Sequence, residues 1–370
     1  MIVSKLKRMD YLFIAGILLF SGFGLIMVYS SSYTLGALEY NDGSHFFFRQ
    51  LQWLLVGFLF FIPAALIPYK VYGKLSPVLV IVSLTLLVMV LIPGIGVERN
   101  NSQRWIAIGS FLFQPAEAVK LFMIIYFAYI FAKKQSYINQ FSKAVLPPLL
   151  ILAVTFLLIM QQPDLGSSML ILLSCGIIVL CSGTRPLHIF LLGGGAVLAF
   201  VFFAYTSPYR LERLTSFLNV FENVQSSGYQ LVNSYVAIAS GGLWGSGLGG
   251  SVQKLGFLPE AHTDFIMAVI LEEVGVFGLV VVIIFYLFVM FRGFSIAKGL
   301  DDMFPKLLAF GLTFQIILQA AINLGAVSGM MPITGITLPF ISYGGSSLLF
   351  TMISAGILVN LSSYRKKVAS

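Results

Sequence analysis

Runs of about 20 apolar residues, the length that a helix needs to cross a bilayer, follow one another along the whole chain. Turns that carry Asn, Pro, Gly or charged side chains separate these runs. Of 370 residues, 58% are hydrophobic and 10% are charged. A soluble domain could not bury so much apolar surface. The sequence therefore predicts an all-α polytopic membrane protein, with residues 1–370 forming a single integral membrane domain.

We predict about ten transmembrane helices. Their approximate bounds are 11–30, 51–68, 75–93, 115–132, 145–161, 166–182, 187–206, 265–291, 305–327 and 339–361. One long segment, residues 207–264, separates the seventh span from the eighth, and we expect it on the extracytoplasmic side. A loop of this length in a compact protein is usually functional.

The charges are divided unequally between the two sides of this layout. If both termini are cytoplasmic, fifteen of the 22 Lys and Arg residues fall in cytoplasmic segments, as the positive-inside rule requires. Topology thus explains the net charge of +8, and we expect no nucleic-acid partner. Eleven of the 14 acidic residues lie on the outer side or in the outer halves of spans. The polar chemistry is therefore expected to face outward.

Asp264 ends a polar stretch, residues 258–264, where the eighth apolar run begins. The stretch places two carboxylates and an imidazole at a bilayer surface, where ionisable groups are costly and usually functional. Asp264 is therefore a candidate catalytic residue. Alternatively, Thr263 or Asp264 caps the following helix, and the residues alone leave both interpretations open.

Two further polar positions lie near span ends. Glu117 and Lys120 are three residues apart at the start of the fourth span, so they share a helix face and can form an ion pair. A pair at membrane depth is costly unless the site is polar for another reason, although helix stabilisation alone stays an alternative. Asp164 lies between the fifth and sixth spans, where it could simply cap a helix.

A glycine-rich stretch in the long loop contains G-x-G-x-x-G at Gly245, Gly247 and Gly250. A dinucleotide site needs this motif between a strand and a helix, and an outer loop between membrane helices does not provide that setting. A tight, closely packed turn is the better interpretation. We therefore predict no nucleotide cofactor.

Four ordered motifs resemble the SEDS family (shape, elongation, division and sporulation). They are Gln-Pro-Ala-Glu at 114–117, Gln-Pro-Asp-Leu-Gly at 162–166, Leu-Pro-Glu-Ala-His-Thr-Asp-Phe-Ile at 258–266 and Ile-Ser-Tyr-Gly-Gly-Ser-Ser at 341–347. The resemblance extends over nearly the whole chain. Residues 252–255 and 334–340 look more like the FtsW and SpoVE branch than RodA.

The resemblance implies a peptidoglycan glycosyltransferase that polymerises lipid II into glycan strands at the outer face of the bacterial cytoplasmic membrane, for division, sporulation or cell shape. It also implies a class B penicillin-binding protein (a transpeptidase) and other division or elongation membrane proteins as partners. By the same resemblance, Asp264 matches the catalytic aspartate, and Glu117 and Lys120 match a structural ion pair. Other matching positions line an outer cavity in the family: Arg104, Asp164, Arg210 and His262.

The chemistry of such a reaction fits these residue types. A sugar hydroxyl must lose its proton as it attacks an anomeric carbon, and Asp264 could take that proton as general base. Cations on the outer side could bind the polyprenyl pyrophosphate that leaves: Arg104, Lys120, Arg210, Arg213 and Lys254. A divalent cation, Mg²⁺ or Mn²⁺, could share that work, but the sequence contains no dedicated cluster of metal ligands, so any metal site is unknown.

Two alternatives come from other functional classes. A lipid II flippase would need polar groups along a path through the bilayer, whereas the charges here cluster at the outer surface. A non-catalytic division scaffold would not need the motif around His262 and Asp264. Both alternatives are therefore less well supported than an enzyme that works at the outer face.

Overall fold

A computed structural model describes residues 5–99, 102–109, 111–188 and 228–366, with short stretches between 190 and 224. It is mostly helical. Within these ranges, 8 helices are long and apolar enough to cross a membrane. The chain is therefore a multi-pass membrane protein, as its composition predicts.

The spanning helices are continuous apolar segments. They are α1 (Tyr11–Tyr40), α2 (His45–Leu66), α3 (Tyr69–Leu91), α4 (Pro115–Lys133), α5 (Leu146–Gln161, extended to Phe141 by a π-helical turn), α9 (Val276–Lys298), α10 (Met303–Val327) and α11 (Gly345–Ser362). Shorter helices are α6 (Leu165–Cys181), α7 (Tyr229–Gly241) and α8 (Ile266–Val274).

The predicted bounds differ from these at several places. The first span continues to Tyr40, and the second begins at His45 rather than at residue 51. Most of the predicted seventh span, 187–206, and of the loop that follows it lies outside the described residues. The count of ten spans therefore stays a prediction.

The predicted eighth span, 265–291, is wrong as a single helix. The apolar run divides at Gly275 into α8 and α9. Gly275 has φ of 73°, a conformation that L side chains rarely adopt. Its Cα also lies against the carbonyl of Leu243, so that a Cβ would collide with it. The described segment around Leu243 thus packs into the break between the two helices.

A small antiparallel sheet occupies the segment between α3 and α4, in the gap between the predicted third and fourth spans. Its strands are β1 (Gly96–Arg99), β2 (Ser102–Ile108) and β3 (Phe111–Phe113), in the order β1-β2-β3. Trp105 lies opposite Val97, and Ile106 lies opposite Phe113. Aromatic and branched side chains favour such cross-strand pairs. The prediction of an all-α chain therefore holds for the membrane-spanning part, and the sheet is an addition to it.

Polar contacts mark the end of the bundle that carries both chain termini. The Asp10 carboxylate accepts a hydrogen bond from the Phe13 amide and so caps α1. It also pairs with Arg292 at the end of α9. Tyr69, at the start of α3, donates to Asp302 before α10. These contacts join helix ends, and the candidate site lies at the opposite end.

Candidate active site

Asp264 lies in a short turn before α8, and its side chain is partly buried. The Thr263 hydroxyl lies 3.1 Å from Asp264 Oδ1 and 2.6 Å from Glu260 Oε2. Helix α8 begins at Ile266, with Phe265 in the N-cap position and no side-chain cap. Thr263 and Asp264 therefore lie in the turn that precedes the first residue of the helix.

The backbone around Asp264 is held from two directions. The side-chain amide of Asn323, on α10, donates to the Asp264 carbonyl at 2.7 Å. The Tyr343 amide, in the loop before α11, donates to the His262 carbonyl at 2.9 Å. The segment that carries Asp264 is thus attached to α10 and to the loop that precedes α11.

His262 lies against aromatic side chains rather than in an open position. Its ring centroid is 4.7 Å from that of Phe46 and 5.4 Å from that of Tyr343, and the residue is buried. Burial lowers the pKa of His262, and the nearby Glu260 opposes this shift. Its imidazole therefore favours the neutral form, which can hydrogen-bond a substrate without adding charge.

Glu117 and Lys120 form a buried ion pair on α4, with Lys120 Nζ 2.8 Å from Glu117 Oε2. Lys120 also donates to Gln319 Oε1 on α10, at 3.0 Å. The amide nitrogen of Gln319 lies 3.0 Å from the Thr337 carbonyl oxygen and 3.2 Å from Ser347 Oγ. The pair therefore belongs to a polar network that joins α4, α10, α11 and the loop between the last two.

Asp164 and Arg104 hold the turn between α5 and α6. The Asp164 carboxylate accepts from the Ser167 amide at 3.0 Å, so it caps α6. It also accepts from Gln114 Nε2 at 3.3 Å. Arg104, on β2, donates to the carbonyls of Gln162 and Pro163. Both residues therefore stabilise the turn, and their contacts link the small sheet to it.

Lys254 forms a second buried ion pair. Its Nζ lies 2.5 Å from Glu273 Oε1 and 3.1 Å from Ser30 Oγ on α1. The neighbouring Glu272 accepts a hydrogen bond from the Val252 amide at 2.9 Å. The two adjacent glutamates of α8 therefore hold the segment that precedes the Asp264 turn.

The glycine-rich stretch packs against the same helix end. The Ser246 and Gly247 amides donate to the carbonyls of Glu272 and Glu273 at 2.9 and 3.0 Å. Gly245 has φ of 75°, and a Cβ there would collide with the Glu273 carbonyl. This geometry matches the close-packed turn that we predicted, and a phosphate-binding loop would instead direct these amides at a ligand.

The remaining predicted residues include two that cannot be placed. Arg210 and Arg213 lie outside the described residues. No group of three or more His, Cys, Asp or Glu side chains suited to a metal ion occurs in the described part of the chain.

Several polar residues that join these segments were not among the predicted site residues. Gln319 and Asn323 are both buried, and they lie four residues apart on one face of α10. Thr337 donates to Ser347 Oγ at 2.9 Å. Buried amides on one face of an apolar span are a signal that the sequence contains, because such groups need partners inside the protein.

With this geometry in place, the chain can be compared with known proteins. The family model described as "Cell cycle protein", for FtsW, RodA and SpoVE, matches residues 10–367. The chain belongs to the FtsW/RodA/SpoVE family. The resemblance to SEDS proteins is thereby confirmed.

Among FtsW/RodA/SpoVE proteins, two relatives from Bacillus subtilis (strain 168) are similar over their whole length. "Probable peptidoglycan glycosyltransferase FtsW" is 44% identical, and the match covers 99% of this chain and 93% of the relative. "Stage V sporulation protein E" is 39% identical, and the match covers 98% of this chain and 99% of the relative.

Solved structures of FtsW/RodA/SpoVE-like fold agree with this assignment. A structure described as "Structural coordination of polymerization and crosslinking by a peptidoglycan synthase complex" has a TM-score of 0.78 at 25% identity, covering 97% of this chain and 99% of that one. The Thermus thermophilus rod shape determining protein RodA has a TM-score of 0.70 at 24% identity, covering 97% of this chain and 98% of that one. The second likeness concerns the fold alone.

Proposed function

We propose that this chain is a peptidoglycan glycosyltransferase that polymerises lipid II at the outer face of the bacterial cytoplasmic membrane. Family membership and the name of the FtsW relative support this activity. The observation that carries the proposal is the position of Asp264. Its partly buried carboxylate lies on a backbone held by Asn323, at the end of the bundle that contains the Glu117–Lys120 network.

In the proposed reaction, Asp264 is the general base. A sugar hydroxyl transfers its proton to the Asp264 carboxylate as its oxygen bonds to the anomeric carbon of the second substrate. The bond from that carbon to the lipid pyrophosphate breaks, and the pyrophosphate leaves with the electron pair. Attack opposite the leaving group inverts the anomeric centre without a covalent enzyme intermediate.

The cations differ in how well they suit the pyrophosphate. Lys120 and Lys254 each have a buried carboxylate partner, so we assign them to the architecture of the site. Arg104 uses Nε and one terminal nitrogen in its bonds to carbonyls, and Nη1 can still donate. We therefore propose Arg104, Arg210 and Arg213 as the phosphate ligands, with His262 and Asp164 shaping the cavity. A divalent cation, Mg²⁺ or Mn²⁺, stays a prediction, and no step of this mechanism passes through it.

The proposed orientation of the chain in the membrane rests on the distribution of its Lys and Arg residues. Lys5, Lys70, Lys134, Arg292 and Arg365 lie at the end of the bundle that carries both termini. Because the positive-inside rule assigns such an end to the cytoplasm, we propose cytoplasmic termini and an extracytoplasmic active site. We also propose a class B penicillin-binding protein and other division or elongation membrane proteins as partners. The solved peptidoglycan synthase complex with a similar fold supports the first of these.

The decisive assay measures glycan strands made from purified lipid II, with and without the penicillin-binding partner. Asp264→Asn should abolish polymerisation, because an amide cannot take the proton. Asp301→Asn provides a matched control, since Asp301 forms an exposed pair with Lys366 at the opposite end of the bundle. Wild-type output from Asp264→Asn would exclude the proposed base. Transbilayer movement of lipid II without any glycan product would favour the flippase, and stimulation of a partner without either activity would favour the scaffold.

Phosphate binding by the arginines has a separate test. Arg210→Lys keeps the charge but loses the planar fork that binds two phosphate oxygens together. We expect the lipid II concentration needed for half-maximal rate to rise in this variant. If Arg210→Lys matches the wild type at every lipid II concentration, bidentate phosphate binding by this residue is wrong.

A further inference from the structure

The side-chain amide of Asn323 joins two backbone segments that lie far apart in sequence. Asn323 is 1% exposed, and its Nδ2 donates to the carbonyls of Asp264 and Ile336, each at 2.7 Å. An amide nitrogen carries two N–H groups, so both are used. The turn before α8 and the loop after α10 are thereby held at one point.

The bond to Asp264 is unusual because it fixes the backbone of the residue that we propose as the base. Helix α8 begins two residues later, at Ile266, so Asp264 lies in the turn and not in the helix. The direction of the Asp264 carboxylate depends on the φ and ψ angles of that turn. A donor that holds the Asp264 carbonyl therefore limits where the carboxylate can point.

Stability alone gives a weak reason for this amide. Asn323 Oδ1 is buried, and within the described part of the chain it has no hydrogen-bond partner. A buried polar atom without a partner carries a desolvation cost. The unsatisfied oxygen therefore offsets part of the stabilisation that the two hydrogen bonds of Asn323 contribute. Groups of this kind are often retained for the geometry that they impose.

We infer that Asn323 is a positioning residue for Asp264, acting through the Asp264 backbone rather than on the substrate. This inference rests on the proposed function. If it is correct, loss of the Asn323 donors should lower kcat and leave KM for lipid II nearly unchanged. A misplacement of about 1 Å can reduce a rate by roughly 100-fold, so we expect a decrease of about 10- to 100-fold.

Asn360 on α11 offers a matched control. It is fully buried, and its Nδ2 donates to the carbonyls of Ala65 and Ile67 at 2.7 and 2.6 Å. Its Oδ1 also has no partner in the described residues. The chemistry is therefore the same as at Asn323, but the carbonyls belong to the end of α2 and to the turn that follows it, at the opposite end of the bundle.

The test compares Asn323→Asp with Asn360→Asp in full-length protein, with lipid II as substrate. A carboxylate repels both carbonyls, whereas a protonated carboxyl can donate to one of them. The ratio of the Asn323→Asp rate to the wild-type rate should therefore rise as the pH is lowered. The same ratio for Asn360→Asp should stay flat, with kcat per folded molecule near that of the wild type.

Other ionisable groups lie near this position, and the ratio to the wild type removes their shared contribution. Those on the Asp264 segment or in the loop before α11 are Glu260, His262, Asp264 and Tyr343. Those on or next to the helices packed against α10 are Glu117, Lys120, Tyr126, Tyr129, Lys133, Asp164, Cys175, Cys181, Glu272, Glu273, Tyr286, Arg292 and Lys298. Asn323→Ala and Asn360→Ala form a second pair, which removes the donors without adding a charge. Folding of every variant is checked by gel filtration and thermal unfolding.

Several results would overturn the inference. Equal kcat losses in the Asn323 and Asn360 variants would show a general effect of removing buried amides. A loss confined to KM would indicate substrate contact, and a flat pH ratio would exclude the backbone bond as the cause. If neither Asn323 variant folds while the Asn360 variants do, Asn323 holds the fold rather than the site. An active Asp264→Asn protein would instead refute the proposed base.

Discussion

Removing one partner of the Glu117–Lys120 pair should destabilise the protein more than removing both. Each side chain is buried, and the ions are 2.8 Å apart. A buried charge left without its partner costs about 3–5 kcal/mol, whereas replacing the whole pair is often nearly neutral. Lys120→Met should lie at the upper end of that range, because Gln319 Oε1 also loses its donor, which costs about 1–3 kcal/mol more.

The measurement is a double-mutant cycle with Glu117→Gln, Lys120→Met and the double variant. Free energies of unfolding are obtained by SDS titration in mixed micelles, and glycan output is measured on the same samples. We expect the loss of unfolding free energy in the double variant to be at least about 2 kcal/mol smaller than the sum of the losses in the two single variants. Additive losses would refute the reasoning, since they would mean that the two charges do not stabilise each other.

A charge-swapped protein, with Glu117→Lys and Lys120→Glu, tests whether the order of the two charges along the helix matters. Residue 117 lies in the first turn of α4, where the helix dipole favours an acid. The swap should therefore restore only part of the stability and of the glycan output. A swap no better than the single variants in output, despite restored stability, would indicate that Lys120 contacts the substrate directly.

Three further predictions concern the glycine-rich stretch, the Lys254–Glu273 pair and His262. Gly245→Ala should lower the thermal stability more than Gly247→Ala, because both positions have positive φ but only a Cβ at Gly245 meets the Glu273 carbonyl; equal losses would show that backbone strain alone matters. Lys254→Met and Glu273→Gln should each lower stability more than the double variant does, and a rise in KM for lipid II confined to Lys254→Met would instead indicate phosphate binding by that lysine. Burial lowers the folded-state pKa of His262 below its ordinary value of 6.5. As the pH falls below 6.5, the unfolded state therefore takes up a proton more readily than the folded state, and the free energy of unfolding decreases. Unfolding temperatures of the wild type and His262→Asn between about pH 5 and 8 test this, and parallel curves would contradict it.

The membrane-spanning fold could be predicted because the bilayer leaves few choices. About 20 apolar residues must form a helix in order to satisfy their backbone groups. The break at Gly275 could not be predicted in the same way, because the apolar run continues through it and the cause is a contact with Leu243. The sheet at Gly96–Arg99 and Ser102–Ile108 was also missed, since short strands rich in polar residues look like a loop.

The parts of the site that depend on residues close together in sequence could be predicted. The spacing of Glu117 and Lys120 is enough to expect the ion pair that the structure contains. Asp264 also has a partner at residue 323 and Lys120 one at residue 319, and no local pattern in the sequence relates positions so far apart. A basic residue in an outer loop, such as Lys254, also looks like a phosphate ligand until its carboxylate partner is known.

These buried polar links have a common physical role. Apolar packing inside a bilayer gives little preference for one helix register over another, because lipid tails are as apolar as the side chains. Hydrogen bonds and ion pairs are directional, and a lost partner at membrane depth is costly. Lys120 connects α4 to α10, Asn323 connects α10 to the Asp264 turn, and Lys254 connects that region to α1. Replacing each link with apolar side chains could leave the bundle stable, yet the carboxylate of Asp264 would lose the fixed position that proton transfer requires.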